Sequence, residues 1–242
     1  MDYMSFRDEF IRIFQKNGLE SYTTEDHIRK FYDLTIKMVE TNKVMNITAL
    51  TTCDKIIPLH YADCVKIASY IPENAKVADI GCGGGFPILP LAIVRPDLKL
   101  TGIDSTEKKI RYVQNTANEL GLSVTAVSGR AEDLAKTADY RESFDCVISR
   151  AVARLNVLDE LCLPFVKIGG TFLAMKGAAG QEELDEAQNG IQRLGGQIDE
   201  SLEYMLYTAD GEEKRYLISI IKNTATPREF PRAFGAIKKK PL

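Results

Sequence analysis

Residues 79–87 read Asp79-Ile80-Gly81-Cys82-Gly83-Gly84-Gly85-Phe86-Pro87, four glycines in five positions directly after the short apolar run Val77-Ala78-Asp79-Ile80. Such a loop lets a ligand lie against bare backbone beside the N-terminus of the next helix, the place where open α/β sheets bind ligands. It is not the dinucleotide fingerprint. That pattern needs glycine at 86 when counted from Gly81, or at 88 when counted from Gly83, and Phe86 and Ile88 stand there. An NAD-dependent oxidoreductase is therefore disfavoured.

Downstream, short apolar strands alternate with helices. Strands are read at 77–80, 98–103, 124–127, 145–148 and 171–174, and helices near 86–94, 107–120, 131–136 and 157–166. An antiparallel pair, 203–207 and 216–221, flanks the turn-rich Ala209-Asp210-Gly211-Glu212. The alternation predicts βαβ units, a mostly parallel sheet and helices on both faces. Upstream, Phe6, Phe10, Ile13 and Phe14, then Ile28, Phe31, Thr35, Met38 and Val39, recur at helical spacing, and a third helical stretch spans 54–70 before Pro72. The expected organisation is a helical cap over 1–72, a ligand-binding α/β domain over 73–223, and a basic tail over 224–242 whose composition favours partial disorder when it is alone.

The 242 residues are 45% hydrophobic and 27% charged, an ordinary globular composition. The longest apolar run, Phe86 to Val94, is nine residues, about half of what a membrane span needs. The opening residues lack the basic-then-apolar order of a secretory leader, so a cytoplasmic location without membrane attachment is expected. Cys53, Cys64, Cys82, Cys146 and Cys162 are odd in number and widely spaced, which points to free thiols and no metal site. A net charge of −3 carries no global signature of nucleic-acid binding, yet the last fifteen residues hold Arg228, Arg232, Lys238, Lys239 and Lys240 against one Glu229.

Three further sites carry chemistry. Asp104-Ser105 ends the second strand, 19 positions after Gly85, where an ionised carboxylate can accept both hydroxyls of an adenosine ribose. Gly129-Arg130-Ala131-Glu132-Asp133 follows the third strand, where a backbone N–H and an acid could grip an adenine edge, and where a polar loop with helix-capping acids would look the same. Ser149-Arg150-Ala151 ends the fourth strand at the switch point, where a guanidinium needs a partner, Asp79 or Glu132 being the nearest in prospect.

Taken with Asn46-Ile47-Thr48, His60, Ile93-Val94-Arg95-Pro96 and Lys176-Gly177, these motifs make nearly the whole chain resemble the RsmG (GidB) family of bacterial 16S ribosomal RNA methyltransferases. The resemblance implies a class I S-adenosylmethionine-dependent methyltransferase fold, Rossmann-like, with a seven-stranded mostly parallel sheet and an N-terminal helical cap. It implies methyl transfer from S-adenosylmethionine to N7 of a guanosine in the 530 loop of 16S ribosomal RNA, by a monomer acting on the RNA or the small subunit. Gly81, Cys82, Gly83, Gly85, Phe86, Asp104, Ser105, Ala131, Glu132 and Arg150 become the expected cofactor residues. Asn46, Thr48, His60, Lys109, Arg111, Lys176 and Arg232 become the expected RNA contacts. The chain departs from the family at Ile88, where glycine is usual and where the bulkier residue should push the helix away, and at Ile237, where proline is usual. Guanine N7 carries a free lone pair, so no general base is expected and no catalytic residue is named; alignment supplies the rate. A small-molecule methyltransferase is the alternative, sharing the cofactor motifs without needing Asn46, Thr48 or a basic tail, and a non-enzymatic nucleoside-sensing module would keep the loop without turnover.

Overall fold

The computed structural model describes residues 2–242. Helix α1 (Tyr3–Lys16) starts at Asp2, whose side chain accepts the Ser5 N–H, and α2 (Glu25–Asn42) starts at Thr24, which accepts the His27 N–H. Their facing stripes, Phe6, Phe10 and Phe14 against Ile28, Phe31 and Leu34, are buried. The third helical stretch is continuous but irregular. It runs from α3 (Cys53–Ile56) through a π-helical turn, Ile57–Ala62, into α4 (Asp63–Val65). Pro58 lies in that turn and has no N–H for the regular ladder, which fits the local widening.

Seven strands follow: β1 (Lys76–Ile80), β2 (Lys99–Asp104), β3 (Val124–Ser128), β4 (Phe144–Arg150), β5 (Val166–Lys176), β6 (Gly196–Thr208) and β7 (Gly211–Lys222). Their order is β3-β2-β1-β4-β5-β7-β6, parallel except that β7 runs antiparallel to both neighbours. The order reverses between β1 and β4, so a crevice opens there at the strands' carboxyl ends. Between strands lie α5 (Ile88–Val94), α6 (Glu107–Glu119), α7 (Ala131–Leu134), α8 (Leu155–Cys162) and α9 (Gly180–Arg193), and α10 (Phe234–Lys239) closes the chain. Successive strand residues point to opposite faces. Val77 joins the core made with α1, α2, α5 and α6, whereas Ala78 joins the one made with α8, α9 and the C-terminal segment. The N-terminal helices thus share one apolar core with a sheet face. At the end of α1, Asn17 reaches the outer strand: its Oδ1 accepts the Tyr207 N–H and its Nδ2 donates to the Tyr207 carbonyl, both at 3.0 Å.

The last segment packs against the body of the fold. Phe230 and Ile237 are buried in the second core. Arg141 donates to the carbonyls of Thr226 and Phe230 at 2.7 and 2.9 Å, and Arg232 forks onto the buried Glu160 with Nε–Oε1 and Nη2–Oε2 distances of 2.9 and 2.6 Å. Apolar anchors and a paired guanidinium overcome the polar composition. Ile237, the departure from proline, is one of those anchors. No disulfide joins any of the five cysteines, and all but Cys53 are buried.

Beside Glu160, Asp159 is fully buried; one oxygen accepts the Glu160 N–H and the other has no partner among the described residues. Burial raises its carboxyl to about 8. The unfolded chain loses this proton near pH 4 while the folded chain keeps it, so the acid's contribution to stability is intact below about pH 4 and falls as pH rises towards 8. Asp159→Asn is expected to stabilise the fold by about 1–3 kcal/mol at pH 8 and to change little at pH 4. Thermal unfolding at the two pH values tests this; equal effects at both would sink it.

Candidate active site

The glycine loop leaves β1 at the switch point. Gly81 takes φ +75°, and the N–H groups of Gly81 and Cys82 both donate to the Ile103 carbonyl, at 2.8 and 3.1 Å. A side chain at 81 would also collide with Val152, whose Cγ2 lies 2.5 Å from where a Cβ would stand. Gly84 is required for a different reason: a Cβ there would sit 2.6 Å from Cγ2 of Ile47. Ile47 is held in place because Asn42 Oδ1 accepts the N–H groups of Ile47 and Thr48, and Asn42 Nδ2 donates to the Thr48 carbonyl. The loop is therefore pressed between the 42–48 segment and the 151–153 segment. Ile88 opens α5. Its N–H donates to Asp79, and its side chain lies over Gly102, where a Cβ would be 3.2 Å away.

Asp104 ends β2 with both oxygens anchored, Oδ2 by the Gly83 N–H at 3.0 Å and Oδ1 by the Thr106 N–H at 2.8 Å. Each oxygen keeps a lone pair for a ligand. With Gly81, Ser105, Ala131, Glu132 and Val152 it lines a cavity of about 230 Å³, narrowed at its glycine end by Val152. Glu132 is buried and accepts Arg130 Nε at 2.7 Å. Bare backbone, an anchored carboxylate and a second acid just beyond the next strand tip fit a nucleoside-bearing cofactor. Cys82, Gly83, Gly85, Phe86 and Arg150 lie outside this wall. Cys82 is buried behind the loop, where burial pushes its thiol well up.

Arg150 lines a second cavity, about 350 Å³, with Leu59, Asp63, Met175, Lys176 and Arg215. Its guanidinium donates to the Leu59 carbonyl at 2.7 Å, to Asp63 at 3.2 Å and to His60 Nδ1 at 3.1 Å. Neither Asp79 nor Glu132 is its ion-pair partner. Because arginine only donates, His60 Nδ1 accepts and Nε2 carries the proton, which goes to Thr48 Oγ1 at 2.8 Å. The His60 ring stacks on Phe86 with centroids 4.3 Å apart. Burial, and then the Arg150 charge, lower its pKa to about 3, so the ring is neutral. Asp63 also accepts from Tyr204 at 3.1 Å and lies 3.6 Å from Arg215 Nε. Ala151, at φ +56°, lines this cavity while Val152 lines the first. One peptide step separates the two.

Of the expected RNA residues, Asn46 is exposed beside the loop, Thr48 and His60 are joined under Phe86, and Lys109 and Arg111 sit on α6, Arg111 paired with Glu107. Lys176 and Arg232 are committed internally. Lys176 Nζ donates to the Ala153 carbonyl at 2.6 Å and pairs with Glu183 at 2.9 Å, its side chain 5% exposed; Arg232 holds Glu160. Sequence reasoning passed over Asn42 and Asp63, and read Asp79 only as a prospective partner for Arg150. Asp79 is fully buried, one oxygen having no partner among the described residues, and its carboxyl is raised by burial to about 7. Its place next to the glycine loop was a visible signal; the partners of Asn42 and Asp63 were not.

The family model for rRNA small subunit methyltransferase G (GidB) matches residues 26–205. A ribosomal RNA small subunit methyltransferase G from Oceanobacillus iheyensis is 40% identical over 238 residues, covering 97% of this chain and 98% of its own. One from Brevibacillus brevis is 41% identical over 239 residues, covering 98% and 99%. Among solved structures, a SAM-dependent methyltransferase from Methanosarcina mazei superimposes with a TM-score of 0.52 at 18% identity, over 65% of this chain and 97% of its own. A ribosomal protein L11 methylase from Lactobacillus delbrueckii subsp. bulgaricus gives 0.51 at 13%, over 68% and 79%. The fold is that of class I S-adenosylmethionine-dependent methyltransferases, and the chain belongs to the ribosomal RNA small subunit methyltransferase G family.

Proposed function

We propose that this chain transfers a methyl group from S-adenosylmethionine to N7 of a guanosine in the 530 loop of 16S ribosomal RNA, acting in the cytoplasm as a single chain. The observation that carries the N7 acceptor is His60. Both ring nitrogens are engaged and the ring is neutral, so the histidine that backs Arg150 has no free nitrogen with which to take a proton. N7 needs none taken.

When bound, S-adenosylmethionine supplies an electrophilic methyl group. Asp104, anchored by two backbone N–H groups, accepts the ribose hydroxyls, and the Ala131–Glu132 corner faces the base. The second cavity receives the target guanine, with Leu59 and Met175 as apolar walls and the Arg150–Asp63 pair fixing its floor. Holding the two reactants on either side of the Ala151–Val152 step converts a bimolecular encounter into an intramolecular one, worth about 7–11 kcal/mol when the alignment is good. Asn46 and the exposed cations on α6 and α10 meet the RNA backbone, so binding weakens as salt rises.

The test is tritium transfer from labelled S-adenosylmethionine to small subunits from cells lacking the enzyme, with the modified base then mapped. Label at one guanosine N7 is expected. Unlabelled subunits and unlabelled free RNA, from a protein that still binds the cofactor, would overturn the ribosomal acceptor and favour a small molecule.

A further inference from the structure

One wall of the first cavity comes from neither the helical cap nor the α/β unit. Phe234, the first residue of α10, lines it together with Asp104, Gly129 and Glu132, and lies beyond the residues that the family model matches. We infer that Phe234 is a cofactor-binding residue whose ring forms the flat apolar face for a purine base. This rests on the cofactor reading given above and extends it to the C-terminal segment.

Three observations carry it. Phe234 is only partly buried, although it packs against the second core, and its cavity neighbours are the tips of β2 and β3, the nucleoside end of the site. The Arg130 guanidinium lies 5.1 Å from its ring centroid, and Arg130 Nε is tied to Glu132 at 2.7 Å. Ring, cation and acid thus form one connected wall, with a π-face of the kind that stacks on bases. The ring is also held from both sides along the chain, by the buried Phe230 and Ile237 and by Arg232 on Glu160. An aromatic fixed before the ligand arrives loses little freedom on binding.

It follows that the segment beyond residue 223 belongs to the cofactor site. Deleting it should remove cofactor binding, the opposite of what a separable basic tail would give.

The experiment is calorimetric titration of the full chain with S-adenosylhomocysteine and with adenosine, for the wild type and for Phe234→Ala, Phe234→Leu and Phe234→Tyr, each with its thermal midpoint. Phe234→Ala is expected to weaken both ligands by roughly 5- to 150-fold, the span of one base–aromatic stack. Phe234→Tyr should stay within a few-fold of wild type. Phe234→Leu, apolar but without a π-face, should fall with the alanine variant at an unchanged midpoint. Wild-type affinity in folded Phe234→Ala overturns the inference, and so does Phe234→Leu binding as tightly as Phe234→Tyr, which would make the ring a mere filler. A wild type that binds neither ligand overturns the cofactor reading itself, and this inference with it.

Discussion

Arg150→Met is expected to lower the stability of the folded chain by about 3–5 kcal/mol, the cost of removing one partner of a buried ion pair. The guanidinium ties the π-helical turn to the tip of β4 through the Leu59 carbonyl, Asp63 and His60 Nδ1. Methionine fills similar volume but leaves a buried carboxylate short of its nearest cation and a ring nitrogen without a donor. Arg215, 3.6 Å from Asp63, softens the loss, so the lower half of the range is expected. Arg150→Lys should recover only part of it, because one ammonium cannot reproduce the guanidinium's fixed fork. Urea unfolding followed by circular dichroism measures both. A loss below about 1 kcal/mol for Arg150→Met, the level of an exposed pair, would show that Arg215 alone neutralises Asp63.

Asp104→Ala is expected to weaken S-adenosylhomocysteine binding by about 1.5–3 kcal/mol, the usual loss for hydrogen bonds to a charged group. The substitution removes the acceptor for the ligand and also frees the Gly83 and Thr106 N–H groups that the carboxylate now positions. Asp104→Asn separates the two roles. It keeps an oxygen for one backbone N–H but removes the charge, so intermediate affinity is expected. Calorimetry on folded protein decides, and unchanged affinity for Asp104→Ala would move the ribose site away from β2.

The sheet was legible in the sequence because its signals are local: short apolar runs, glycines at the first strand tip, an acid at the second. The position of Asp104 at the second strand tip could be read from spacing alone. Helix α9 could not, since only Leu184, Ala187 and Ile191 supply apolar side chains to its buried face and two glycines, Gly180 and Gly190, interrupt it. That omission had a consequence. Lys176 looked free for a phosphate because Glu183, its partner, stands in the first turn of the unread helix. Arg232 looked equally free, as its partner Glu160 is 72 positions away and nothing local announces the pairing. Arg150 was rightly expected to have a partner, but Asp63 is 87 positions away and follows a π-helical turn, an irregularity that apolar periodicity does not encode.

The two hydrogen bonds between Asn17 and the Tyr207 backbone place a side-chain amide where another strand's peptide group would dock. Outer strands are templates for pairing with foreign chains, and proteins blunt them to avoid edge-to-edge aggregation. Here a residue at the end of the first helix imitates one rung of a strand ladder, so no neighbouring chain can pair with Tyr207 without first evicting Asn17. The N-terminal helices that share the sheet's core thus also guard its rim.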